Sequence, residues 1–121
     1  MNMNPQFGYK ILDKSQIINK IRKELMKYNP IIIILHGSVV KTSIIKKSSD
    51  IDFIVVSDIY KNVNFFTRIK FVQNLLRKFK PLRIDVICLT YSEFDYLLSK
   101  KMELFYSLQK GYQIVYRDEK K

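Results

Sequence analysis

The chain is poor in the residues that mark cross-linked, secreted or membrane-spanning proteins. Among 121 residues it has one cysteine, Cys88, which excludes an internal disulfide framework. Its longest uninterrupted apolar run, Ile31 to Leu35, is far too short to cross a bilayer. The first ten residues, MNMNPQFGYK, lack the apolar segment of a signal peptide. We therefore expect a cytoplasmic protein.

Linkers and acidic residues are also scarce. No repeat, low-complexity tract or Gly/Ser-rich linker divides the sequence, so we expect a single domain over residues 1–121. The 11 Asp and Glu residues are outnumbered by 22 Lys and Arg, which gives a net charge of +11. Such a charge attracts polyanions, whether nucleotides, nucleic acid, acidic proteins or anionic membranes. A solvated lysine-rich surface is the alternative interpretation.

Helical and strand patterns alternate along the chain, which predicts a sheet with helices packed against it. The predicted helices cover Asp13–Tyr28, Val39–Ile45, Phe65–Phe79 and Phe94–Leu108. The predicted strands cover 31–36, 50–57, 83–90 and 112–116, with the last at an edge. Periodicity alone leaves the strand order open.

Three carboxylates interrupt these apolar strands. Asp50 and Asp52 alternate with apolar residues, so both point to one face of their strand, with Cα atoms about 6.5 Å apart. Asp85 interrupts the next strand, and clustered carboxylates repel one another and lose hydration. Mg²⁺ would compensate them, since it binds carboxylates and phosphates, and two such ions can hold the reacting oxygens of a phosphoryl displacement. In the alternative interpretation Asp50 caps the strand entry, Asp52 faces water and Asp85 pairs with Arg83 or another base.

A Gly-Ser pair follows the first long strand. Gly37 would let a ligand approach the backbone closely, and Ser38 adds a hydroxyl at the start of the predicted short helix, where a helix N-terminus suits phosphate. A simple turn is the alternative. The spacing of a P-loop is absent.

Read as a unit, the string GSVVKTSIIKKSSDIDFIVVS resembles the signature of the DNA polymerase beta-like nucleotidyltransferase superfamily, including its minimal nucleotidyltransferases. That signature is Gly-Ser, a gap, Asp-x-Asp on a strand, and a third acid on a later strand. Here 11 residues separate Ser38 from Asp50, and the segment Arg83-Ile84-Asp85-Val86 supplies the third acid.

The resemblance implies an α/β (α+β) fold, in which helices flank a small mixed sheet. It also implies transfer of a nucleoside monophosphate, AMP from ATP in our expectation, onto an acceptor. Two Mg²⁺ ions would be held by Asp50, Asp52 and Asp85, which are also the implied catalytic residues. The nucleotide would be bound by Gly37, Ser38, Lys41 and Ser49.

Three residues depart from the family pattern. Lys41 replaces a customary arginine and so loses the planar fork that grips phosphate. Thr42 replaces a glycine, which would be costly if the backbone needed a positive φ there. His36 stands where a large apolar residue is common. Metal binding should persist, whereas we expect weaker triphosphate binding and slower turnover.

We expect structural roles for the single histidine and the single cysteine. We expect His36 to be a satisfied residue at a strand end and Cys88 to be inert packing. The predicted helix 65–79 carries a basic face, which would be solvated or would track nucleic acid. Its members are Arg68, Lys70, Arg77, Lys78 and Lys80.

Minimal members of the superfamily often act as antitoxins beside a helical partner of the HEPN class, and there they can modify a toxin tyrosine with AMP. The resemblance therefore implies such a partner as the acceptor, although a second copy of the chain could also complete the site. One rival hypothesis is a catalytically weak module that neutralises its partner by contact. Another is a basic nucleic-acid-binding domain.

Overall fold

The computed structural model describes residues 11–119, so the segment 1–10, in which we find no signal-peptide pattern, lies outside them. Within 11–119 no helix is long and apolar enough to span a membrane. The helices are α1 (Lys14–Leu25), α2 (Phe65–Leu76), α3 (Tyr91–Ser99) and α4 (Glu103–Gln109). The strands are β1 (Ile11–Leu12), β2 (Ile32–His36), β3 (Ile45–Lys46), β4 (Asp50–Val56), β5 (Arg83–Leu89) and β6 (Tyr112–Arg117).

Four strands form the main sheet, in the order β5-β4-β2-β6. The β4–β5 pair is parallel, whereas β2 is antiparallel to both β4 and β6. This is the small mixed sheet that the sequence resemblance implies. Strand β6 lies at an edge, as predicted, and β1 pairs with β3 in a separate two-stranded sheet.

Each face of the main sheet carries a helical layer. On one face, alternate residues of β2 and β4 such as Leu35 and Phe53 are fully buried against Ile21 of α1 and Val72 of α2. On the other face, Ile54 packs in a second cluster with residues of α3 and α4. The two-residue period of the strands explains this division, since successive side chains point to opposite faces. The fold is therefore an α+β sheet between two helical layers.

Two of the predicted helices were wrong, one in its extent and one in its existence. The stripe from Phe94 to Leu108 is two helices, because α3 ends in a Schellman motif in which Lys101 takes a positive φ of 52°. The segment Val39–Ile45 is not a helix. A single 3₁₀ turn covers Ser38–Lys41, and Ile45 is drawn into β3 by its pairing with Leu12 and its complete burial.

Arg68 does not belong to the basic face predicted for α2. Only 5% of the residue is exposed, because it shares the inner side of the helix with Val72 and Leu76. Its guanidinium donates to the carboxylate of Glu93, at 2.7 and 3.2 Å, and to three backbone carbonyls, those of Tyr60, Val63 and Cys88. Arg68 therefore ties α2 to β5 and α3.

Candidate functional site

The three predicted acids lie on one face of the sheet, the face that α3 and α4 cover further along the strands. Asp52 of β4 is the direct cross-strand partner of Asp85 on β5, and Asp50 stands opposite Arg83 in the same register. The i, i+2 spacing within β4 and the parallel pairing with β5 set these residues at neighbouring positions on one face of the sheet. Asp50 and Asp85 are exposed, and Asp52 is half-buried.

Gly37 lies directly against the carboxylate of Asp52. A Cβ atom added to Gly37 would stand 2.5 Å from the Oδ2 atom of Asp52, and the residue has a φ of 84° and a ψ of −169°. That backbone conformation is essentially restricted to glycine. The Gly-Ser turn and the Asp-x-Asp strand, separated in sequence, therefore meet at this point.

The surroundings of Asp52 destabilise its negative charge. Its pKa is raised by burial and by the like charges of Asp85 and Asp50, while His36 acts in the opposite direction. Asp52 and Asp85 make no hydrogen bond or ion pair with any residue between 11 and 119. Two adjacent acids without a basic partner are the arrangement that a bound divalent cation would stabilise.

Asp50 differs because it already has a partner. Its Oδ1 atom lies 2.8 Å from Nε of Arg83, so the base that the alternative interpretation assigned to Asp85 pairs with Asp50 instead. Consistent with this, the described side chains contain no group of three or more His, Cys, Asp or Glu residues set to hold a metal ion. Asp52 and Asp85 fit Mg²⁺ by their oxygen chemistry and lack of partners, and Asp50 would join them by exchanging Arg83 for the cation.

The turn after β2 is shorter than the predicted helix, so its dipole adds little to anion binding. The Lys14 ammonium closes its end by donating to the carbonyls of Val40 and Thr42, at 3.3 and 2.6 Å. Thr42 has a φ of −91°, so the threonine that replaces the family's glycine causes no backbone strain. Ser38 remains exposed beside Gly37.

The other two residues predicted to bind nucleotide lie at the margin of this site. Lys41 is exposed, and its Cε atom would stand 3.4 Å from a Cβ added to Gly111, which places the side chain along the start of β6. The Ser49 hydroxyl accepts a 3.0 Å hydrogen bond from the Lys46 amide and so closes the turn between β3 and β4. Their binding of nucleotide stays a prediction.

His36 is not the satisfied residue that we expected. It is only 8% exposed, and its Nε2 atom is buried without a hydrogen-bond partner in the described part of the chain. Burial lowers the pKa of the imidazole, and the neighbouring Asp52 raises it by a smaller effect. Across the four strands, Asp85, Asp52, His36 and Tyr112 stand in one row. The sequence held no signal for this row, because it depends on the strand order.

The acids form an open site at the end of the sheet. A groove of about 800 Å³ between α1, the segment 42–44 and β6 includes none of them. A second, apolar groove of about 380 Å³ lies between β2, β6 and the α3–α4 layer. Of the row formed by Asp85, Asp52, His36 and Tyr112, only Tyr112 lines this groove. The site is therefore accessible to large molecules.

Comparisons with known proteins identify the family and the fold of the chain. The model of the family described as "Polymerase beta, Nucleotidyltransferase" matches residues 19–120. No curated protein matches the sequence. A proposed nucleotidyltransferase of Sulfolobus solfataricus shares 20% identity with a TM-score of 0.53, over 87% of this chain and 81% of its own. Another proposed nucleotidyltransferase shares 21% identity with a TM-score of 0.53, over 83% and 98%.

A third solved structure with a similar fold has a different description. The BolA domain of SufE1 from Arabidopsis thaliana has 18% identity and a TM-score of 0.50, over 68% of this chain and 98% of its own. At these identities the structural likenesses establish the fold alone. The family assignment therefore depends on the sequence match, and the chemistry depends on the site.

Proposed function

Since the chain belongs to the polymerase beta nucleotidyltransferase family, we propose that it is an Mg²⁺-dependent enzyme in which an acceptor hydroxyl attacks the α-phosphorus of ATP, takes up AMP and releases pyrophosphate. The observation that best supports this function is the contact between Asp52 and Gly37, beside Asp85. It sets the Asp52 carboxylate, which has no partner within residues 11–119, against an exposed glycine of the turn. Catalysis of this type depends mainly on positioning and on neutralising phosphate charge.

Each residue of the site has a role in this proposal. Asp52 and Asp85 would hold Mg²⁺, two ions in our proposal, and Asp50 would join them if it exchanged Arg83 for the cation. The metal would supply positive charge for the triphosphate oxygens. Gly37 and Ser38 bind the triphosphate, and Asp85, on the edge strand and exposed, accepts the proton of the acceptor hydroxyl.

The acceptor that we propose is a tyrosine on a HEPN-class helical partner. The acids and Ser38 lie on an open surface, so a side chain presented by another protein can reach them. The resemblance to minimal nucleotidyltransferases is the reason for choosing this class of partner.

Transfer of label from ATP tests the proposal. The protein is incubated with Mg²⁺ and α-labelled ATP, with and without the protein encoded by its adjacent gene. We expect labelled partner from the wild type, and a loss of at least about 100-fold in rate for Asp52→Asn and Asp85→Asn, since each removes a metal ligand. Asp95→Asn, an exposed carboxylate on α3, is the matched control and should retain the wild-type rate. Equal transfer by all variants would contradict the proposal.

A second candidate function is neutralisation of the partner by contact, without turnover. The ion pair between Asp50 and Arg83 favours it, because it occupies a carboxylate that the enzyme needs. Replacement of the customary arginine by Lys41 also favours it. In this case the partner binds tightly, no label is transferred, and Asp52→Asn leaves the affinity for the partner unchanged.

A further inference from the structure

The helical layer formed by α1 and α2 concentrates positive charge. Residues 14–28 and 65–80 contain ten Lys and Arg residues but only one acid, Glu24. Two of the ten have other interactions. Lys14 donates to carbonyls of the turn after β2, and buried Arg68 forms an ion pair with Glu93. The remaining eight, which we call the basic layer, are Lys20, Arg22, Lys23, Lys27, Lys70, Arg77, Lys78 and Lys80.

The two helices of the basic layer are linked through a single acid, which neutralises little of its charge. Glu24 pairs with Lys27 at 2.8 Å and with Lys78 at 3.0 Å, and the second pair joins the end of α1 to the end of α2. The other six members have no carboxylate partner within residues 11–119. Arg22 and Lys23 also offset the dipole of α1, but that effect is confined to the last turn and does not account for Lys20 or Lys70.

Exposed aromatic side chains accompany these charges. Phe66 is 76% exposed and Phe71 is 54% exposed, both on α2. Phe66, Lys70 and Arg77 follow at spacings of four and seven residues, so they form one stripe on the outer side of the helix, opposite buried Val72. A basic surface with exposed aromatic rings suits a strand that offers phosphates and unstacked bases.

We propose that the basic layer binds single-stranded nucleic acid. Lys and Arg would contact the phosphates, and Phe66 would stack on a base. The stripe of Phe66 beside Lys70 favours a nucleic acid over an acidic protein, because each nucleotide offers a phosphate and a base together, at the spacing of one repeat. The layer lies on the sheet face opposite the acids, so this binding site is separate from the proposed transfer site.

Fluorescence anisotropy with a labelled oligouridylate of about 20 nucleotides tests this site, with salt varied from about 50 to 200 mM. The test variant replaces Lys20, Lys23, Lys70 and Arg77 by Gln. The matched control removes the same charge outside the layer, by replacing Lys46, Lys100, Lys101 and Lys110 by Gln. All eight side chains are exposed, and circular dichroism verifies that both variants fold.

We expect the test variant to bind at least about tenfold more weakly at 100 mM salt and its salt slope to fall by about 3, since each phosphate contact contributes about 0.7 for a single strand. The control should stay within about threefold of the wild type, because three of its four positions follow α3 and α4 on the opposite sheet face and exposed charges are screened over about 10 Å. Phe66→Ser should weaken single-strand binding roughly five- to hundredfold and leave duplex binding unchanged.

Three results would overturn the proposal. The first is no binding of the oligonucleotide by the wild type. The second is an equal loss in the test and control variants, which would show only an effect of net charge. The third is binding of an acidic peptide such as polyglutamate in preference to the oligonucleotide, which would identify the layer as a protein contact. None of these outcomes depends on AMP transfer.

Discussion

Gly37 is the residue at which a single methyl group should disturb the site most directly. In Gly37→Ala the new Cβ would displace the Asp52 carboxylate, and the positive φ would cost about 1–3 kcal/mol. Gly111→Ala is the matched control, because Gly111 also has a positive φ, of 133°, but its neighbour is the flexible end of Lys41. We expect urea denaturation to show a similar loss of stability in both variants.

Gly37→Ala should also impair nucleotide binding by at least about tenfold, because it moves the proposed metal ligand Asp52, whereas Gly111→Ala meets only the flexible end of Lys41 and should have a smaller effect. Calorimetric titration with Mg²⁺ and ATP measures both affinities. An affinity of Gly37→Ala equal to that of the wild type would contradict the proposed role of Asp52.

Arg83 is the residue that separates the two candidate functions. The Arg83–Asp50 pair is exposed, so Arg83→Gln should change the free energy of unfolding by less than about 1 kcal/mol. If the arginine competes with the cation for Asp50, the variant should need severalfold less Mg²⁺ for half-maximal AMP transfer. Lys46→Gln, which removes an exposed charge outside the site, serves as the control. A loss of transfer in Arg83→Gln would mean that the arginine binds substrate instead.

At this scale the sequence revealed the acids but not their partners. The two-residue spacing of Asp50 and Asp52 placed both on one face of a strand without further information. The choice of Arg83 between Asp50 and Asp85 depends on the register of β4 against β5, which no local pattern encodes. The environment of His36, whose Nε2 atom has no hydrogen-bond partner within residues 11–119, likewise depends on which strands lie on either side of it.

Among the elements, α2 and α3 are joined by the Arg68–Glu93 pair, which should make stability depend on pH. The Arg68 guanidinium, and to a lesser extent the cap of Thr90, hold the pKa of Glu93 below its ordinary 4.5. Because the folded-state pKa is depressed, the contribution of Glu93 is present above about pH 4.5 and is lost as the pH falls through the lower folded value.

Glu93→Gln should therefore be less stable than the wild type at pH 7, and the difference should shrink below pH 4.5. We expect about 1–3 kcal/mol at pH 7, since buried Arg68 loses its counter-charge while Glu93 itself is 42% exposed. Asp95→Gln, which removes an exposed acid from the same helix, is the control. Denaturant unfolding as a function of pH measures both, and a difference that does not change with pH would disprove the coupling.

The elements themselves were largely predictable, and the errors have physical causes. The long strands carry dense β-branched runs, and α1 and α2 show clear amphipathic spacing, so their local patterns were sufficient. The break between α3 and α4 was missed because Lys101 adopts a positive φ that usually calls for glycine or asparagine. Arg68 was misplaced because a long basic side chain on an inner helix position is normally exposed, and only the ring of carbonyls and Glu93 makes its burial favourable.

For the whole molecule, the two sheet faces separate the charges. The carboxylates lie on the face shared with α3 and α4, whereas the basic layer lies outside the opposite face on α1 and α2. Net charge alone, at +11, predicted attraction to polyanions but could not reveal this division. The proposed transfer of AMP and the proposed binding of single-stranded nucleic acid would therefore use different residues of the chain.

A crystal structure of the protein with Mg²⁺ and a non-hydrolysable ATP analogue tests the central claim most directly. Our account predicts electron density for a cation between the carboxylates of Asp52 and Asp85, with the triphosphate against Gly37 and Ser38 and with Arg83 withdrawn from Asp50. Nucleotide bound elsewhere, or triphosphate at the turn with no cation on Asp52, would contradict it.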